Sequence, residues 1–191
     1  VVLEKIHAQR DWQRKATGQS KIVLSIHATT SGIRNSTTFP KKDAFFSEKK
    51  ADGVIFDIEG DYSLLASNLS LLESNLPIYV CMPFWLEEEL QEQIIKEVDG
   101  VVVMNYSKGN ERLNIQKAIE TAEKYGKVIL TAYELQPVGE YGLEEYNTYH
   151  DDGLDAVEKN YEEQFGGTDV GIAFHNLNMM RKLNPAGIEG K

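Results

Sequence analysis

Gly100-Val101-Val102-Val103-Met104-Asn105, then Arg112 to Tyr125, then Lys127-Val128-Ile129-Leu130-Thr131-Ala132-Tyr133, sets an apolar run, an amphipathic stretch and a second apolar run in series. Neither run alternates apolar with polar, which is the pattern of a strand covered on both faces. Between them Ile115, Ala118, Ile119 and Ala122 recur at helical spacing, and Gly126 follows as a natural helix C-cap. A helix carrying the chain from one buried strand to the next predicts parallel pairing and an α/β fold.

The same alternation extends in both directions. Further apolar runs lie at Lys21 to Ile26, Gly53 to Ile58, Pro77 to Met82 and Asp169 to Phe174. Helical spacing recurs in Glu87 to Val98, through Leu90, Ile94, Ile95 and Val98, and further helices are expected over Ser63 to Glu73, Asp155 to Gln164 and the opening Leu3 to Lys15. Asn176 to Leu183 reads as a last helix, its Met179 and Met180 as core, and residues 184–191 as a tail. Ala28 to Lys42 and Gln136 to Asp152 are polar or glycine-bearing and long for connections, the character of active-site loops. Six strands are two short of a (β/α)8 TIM-type barrel, which takes about 250 residues. The opening helix implies a strand before it, so the expectation is one barrel domain over residues 1–191 whose first two strands lie outside this chain. The rival is an open doubly wound sheet. Its glycine-rich phosphate turn is missing after the first run, which closes Ser25-Ile26-His27-Ala28-Thr29-Thr30, and no cofactor is expected.

The 191 residues, 41% hydrophobic and 26% charged, suit one globular domain. A formal charge of −10 repels phosphate backbones and argues against a nucleic-acid partner. No apolar stretch approaches the roughly 20 residues of a membrane span. Cys81, the single cysteine, stands in an apolar run and is expected to be a small buried hydrophobe. Val1 stands where an initiator Met would, so a removed signal peptide, and with it a secreted or cell-envelope location, is one expectation. Oligomeric state is not legible.

Catalytic groups of a barrel come from the C-terminal ends of its strands. The residues closing the runs are His27; Asp57 and Glu59; Met82 and Trp85; Met104, Asn105 and Tyr106; Tyr133 and Glu134; and His175 with Asn176. Asp57 and Glu59, two apart on a strand, point to the same side. Carboxylates that close cannot both ionise freely, so one is held protonated as a candidate proton donor. Solvated acids at a strand end are the competing account.

Asp52-Gly53-Val54-Ile55-Phe56-Asp57-Ile58-Glu59 resembles the chitinase-type signature of glycoside hydrolase family 18, Asp-Gly-x-Asp-x-Asp-x-Glu, with Ile55 in place of the middle Asp. Met104-Asn105-Tyr106 is similar to the family's Met-x-Tyr-Asp, with Ser107 at the Asp position. Ser25 to Ala28 half matches the family's Ser-x-Gly-Gly, and His175 stands where the family has a floor tryptophan. The resemblance implies hydrolysis of an N-acetylated glycan by substrate assistance: Glu59 protonates the glycosidic oxygen, the substrate's N-acetyl group attacks the anomeric carbon, and Asp57 and Tyr106 orient that group.

Two other arrangements stay open. Glu59 and Glu134 resemble the acid/base and nucleophile of retaining glycosidases, which stand about 5–5.5 Å apart. A catalytically inactive carbohydrate-binding barrel would keep the aromatic mouth of Trp85, Tyr106 and Tyr133 without the proton donor. For Tyr133, core packing is the competing account. His27, Met104, Asn105, Tyr133, His175 and Trp85 are the candidate substrate contacts. His27 and His175 invite a metal-dependent hydrolase, but no ligand cluster has diagnostic spacing and no metal is expected.

Overall fold

The computed structural model describes residues 53–57, 60–70, 72, 74–175 and 179. The elements alternate as β1 (Val54–Asp57), α1 (Tyr62–Leu69), β2 (Ile78–Pro83), α2 (Glu88–Glu97), β3 (Gly100–Met104), α3 (Glu111–Tyr125), β4 (Val128–Glu134), α4 (Leu154–Phe165) and β5 (Gly171–His175). Strand neighbours follow chain order. The α/β class expected from the sequence is what the chain adopts. The strand, helix and loop expected before residue 43 and the last helix lie outside the described residues, apart from Met179.

The chain divides into two compact units, residues 1–80 and 81–191, with the boundary inside β2. In the first unit, Val54 N–H donates to the carbonyl of Pro77 at 2.8 Å, beside the start of β2. Asp61 caps α1 by accepting from Leu64 N–H at 3.0 Å. The helix buries Tyr62, Leu65, Ala66 and Leu69. It stops at Leu69, short of the Glu73 expected. Ser67 and Asn68 donate their side-chain hydrogens to the carbonyls of Ser63 and Leu64, local bonds that compete with helix propagation.

In the second unit, β3 pairs in parallel with β4 from Gly100↔Val128 to Met104↔Ala132, and β4 with β5 from Leu130↔Gly171 to Glu134↔His175. The register brings the C-terminal residues of β4 and β5 side by side. Helix α3 buries Ile115, Ala118, Ile119 and Ala122, the stripe its spacing predicts. It packs against α2, β4 and α4. Its end is set at Gly126, whose φ of 63° lets its N–H turn back to Ala122 and Glu123 carbonyls. Each fully buried Ile, Leu or Phe of such a core contributes about 1.5–3 kcal/mol. Cys81 is only half-buried, a correction to its expected place in the core. A second cluster, Tyr133, Leu135, Tyr149 and Val157, collects Leu154, Ala156, Tyr161, Ile172, Phe174 and Met179 around it. Among the described residues no helix is long and apolar enough to cross a membrane.

Candidate functional site

Glu134, the last residue of β4, is the best-defined polar group in the second unit. Its side chain is only 2% exposed. Such burial requires that the carboxylate be satisfied, and it is. Oε1 accepts from the backbone N–H groups of Leu135 and Gln136, each at 2.8 Å, where the chain turns away from the sheet. Oε2 meets His175 Nδ1 at 2.5 Å. Parallel register sets the two side chains next to each other, because paired residues on adjacent strands point their side chains the same way.

His175 is the exposed partner, with 47% of its side chain open to solvent. Tyr106, just past β3, stacks on it with ring centroids 6.0 Å apart and planes 25° from parallel. Gln136 Nε2 lies 3.5 Å from the same Nδ1, at the limit of a hydrogen bond. The C-terminal ends of β3, β4 and β5 therefore carry a buried carboxylate, an imidazole and a phenol ring in contact.

The loop after β4, residues 136–152, is a built structure with two short 3-10 turns, Glu140–Gly142 and Glu145–Asn147. Thr148 Oγ1 donates to Gln136 O at 2.6 Å, and Tyr149 N–H donates to Glu134 O at 3.0 Å, folding the loop back onto the strand end. Asn147 Nδ2 donates to Tyr106 O at 2.7 Å, and Lys108 N–H donates to Tyr146 O at 2.8 Å. These two bonds fix Tyr106 against the loop. Lys108 Nζ reaches Asp152 at 2.5 Å. His150 Nδ1 lies 3.0 Å from Leu135 O, where only its N–H form can bond.

A second buried carboxylate lies behind this end. Glu111, first residue of α3, is 0% exposed. Its Oε1 accepts from Tyr149 O–H at 2.6 Å, while Oε2 has no hydrogen-bond partner among the described residues. Burial raises the Tyr149 hydroxyl well above its usual pKa, and the bond to Glu111 adds to the shift. Tyr133 is raised chiefly by burial too.

The sequence-predicted residues separate clearly. Glu134, His175 and Tyr106 come together. Tyr133 is 1% exposed, its ring edge-on to Tyr149 at 5.5 Å and its hydroxyl donating to Asn160 Oδ1, so core packing describes its placement. Asn105 is buried, donating to Glu111 O at 2.7 Å and accepting from Asn114 Nδ2 at 3.2 Å. It braces the β3–α3 turn. Met104 is half-buried, and its carbonyl accepts from Phe84 N–H at 3.3 Å. Trp85, after β2, is 69% exposed. In the first unit Asp57 ends β1, half-buried with Oδ1 shielded from solvent. Glu59 and His27 lie outside the described residues. Sequence reading did not single out Gln136, Thr148, Tyr149 or Glu111; the first three lie in the Gln136 to Asp152 stretch expected to be an active-site loop, while Glu111 carried no signal. Among the described residues no group of three or more His, Cys, Asp or Glu side chains is placed to hold a metal ion.

No protein-family model and no curated protein matches this chain.

Proposed function

We propose that the chain is a glycoside hydrolase of (β/α)-barrel type acting on an N-acetylated glycan, with Glu59 as general acid and Asp57 and Tyr106 serving the substrate's N-acetyl group. The observation that carries the reading is the end of β1. Asp57 closes β1 with Oδ1 shielded from solvent, at the strand end where α/β proteins hold their reacting groups. The β3–β4–β5 ends support it with a half-exposed imidazole and a phenol ring. Glycan recognition uses such groups, since imidazole bonds hydroxyls and rings stack on sugar faces.

The engagement of Glu134 favours substrate assistance over the retaining two-carboxylate scheme. A nucleophilic carboxylate needs a lone pair directed at the anomeric carbon. Glu134 is 2% exposed, with Oε1 taken by two N–H groups and Oε2 by His175. Glu59→Gln is expected to lower hydrolysis of an N-acetylated chito-oligosaccharide by about 100-fold or more, the scale of general acid catalysis, while leaving its binding intact. Unchanged turnover would remove Glu59 from the mechanism and overturn the reading.

A further inference from the structure

We propose that Gln91 is a positioning residue that holds the turn after β2, so that Trp85 offers its indole to the apolar face of a neutral sugar ring. The ligand class rests on the glycoside hydrolase reading; the hold on the turn rests on geometry alone.

Leu86 N–H donates to Pro83 O at 3.2 Å and closes a tight turn. Phe84 N–H donates to Met104 O at 3.3 Å, which ties the turn to the end of β3, two residues before Tyr106. From α2, Gln91 reaches the same turn with a side chain buried to 7% exposure. Its Nε2 donates to Phe84 O at 3.3 Å and to Leu86 O at 2.5 Å. Both acceptors are carbonyls, so the NH2 end of the amide must face them. The two bonds flank one residue. Leu86 is buried and Phe84 half-buried, while Trp85 between them is 69% exposed. A lone apolar side chain at the surface is ordinary. A buried amide bonded to the carbonyls on either side of it is not, because only those bonds offset the cost of burying the amide. The indole is thus held in water at a fixed place, and an aromatic group already ordered loses little freedom on binding. Glu87, Glu88 and Glu89 follow on the exposed start of α2, where they suit the helix dipole and repel an anionic ligand. An uncharged sugar ring, with C–H groups on its face, fits the indole.

Trp85→Ala is expected to weaken binding of a thio-linked N-acetylglucosamine trimer, which resists hydrolysis, by about tenfold in calorimetry. Unchanged affinity overturns the proposal. Gln91→Met keeps the length of the side chain and removes both donors. It is expected to weaken binding by a similar factor in the wild type, and by about twofold or less once Trp85→Ala is in place. A full loss in both backgrounds makes Gln91 merely structural and overturns its role. The chain has two tryptophans, so labelling with 5-fluorotryptophan gives two fluorine resonances, of which Trp85→Ala identifies one by its loss. The trimer is expected to shift that resonance, and Gln91→Met to narrow it in the unbound chain as the turn loosens. A resonance unmoved at saturation, or a line width that Gln91→Met leaves unchanged, overturns the proposal. Tighter binding of the cationic glucosamine trimer overturns the neutral clause. If Trp85→Ala cleaves chito-oligosaccharides at the wild-type kcat/KM, the proposal falls and the glycoside hydrolase reading stands. A wild type that neither binds nor cleaves them overturns the sugar clause and that reading together.

Discussion

Two glutamates of the second unit are buried to nearly the same degree and used in opposite ways. Glu134 ends a strand, satisfies Oε1 with two backbone N–H groups and spends Oε2 on a half-exposed imidazole. Glu111 begins a helix, receives one hydrogen bond from the buried Tyr149 and leaves Oε2 without a partner among the described residues. The first carboxylate reaches the surface through another side chain. The second closes inward on the core. Burial alone thus does not mark a functional acid in this fold; what it is bonded to decides.

The comparison breaks first on stability. Tyr149→Phe removes the donor to a carboxylate that has no alternative, and an unsatisfied buried acid is costly. A loss of about 3 kcal/mol is expected in chemical denaturation. His175→Ala should cost about 1 kcal/mol or less, because Oε1 keeps both N–H bonds and the imidazole is already half in water. If His175→Ala destabilises as much as Tyr149→Phe, the two carboxylates are not different in kind.

The closed pair also has a pH signature. Burial holds the Tyr149 and Tyr133 hydroxyls well above their usual range. The folded chain therefore keeps both protons where the unfolded chain, with phenol pKa of about 10, gives them up. Stability stays level below about pH 10 and falls above it, by up to about 1.4 kcal/mol per pH unit for each phenol. Phenolate absorbance should show these two ionising only together with loss of circular dichroism. Ionisation in the still-folded chain would mean that the cluster around Tyr133 and Tyr149 opens without unfolding.

The contrast between the glutamates shows where sequence reading reaches its limit. Strands β3 and β4 and helix α3 were legible because their periodicity is local, with the apolar stripe Ile115, Ala118, Ile119 and Ala122 fixing one face. Helix α1 was overextended because nothing in Ser70 to Glu73 announces that side chains of Ser67 and Asn68 already compete for carbonyls. Glu134 and His175 were both visible as residues closing apolar runs, yet the bond between them joins positions 41 apart and follows from strand register, which no local pattern encodes. Glu111 was invisible for a related reason. An acid in the first turn of a helix is ordinarily solvated there, and its partner Tyr149 lies 38 positions away in a loop.

A third glutamate sharpens the comparison from the solvent side and carries the smallest effect. Glu92 on α2 accepts from Lys124 Nζ and Tyr125 O–H of α3, each at 2.7 Å. Those bonds hold its carboxyl below the usual range, with Lys124 the larger cause. A lowered pKa contributes stability that is present above the unfolded carboxyl pKa of about 4.3 and is lost as pH falls through the folded value. Both charges are exposed, with 44% and 61% of the side chains open to water, so salt screens the pair. Lys124→Ala is therefore expected to shift thermal unfolding less than either variant above at neutral pH, and the shift should shrink in high salt and vanish in acid. A Lys124→Ala loss that persists undiminished in high salt would mean that the contact of Lys124 Nζ with the Tyr125 ring, 4.8 Å from its centroid, carries the effect and not the pair with Glu92.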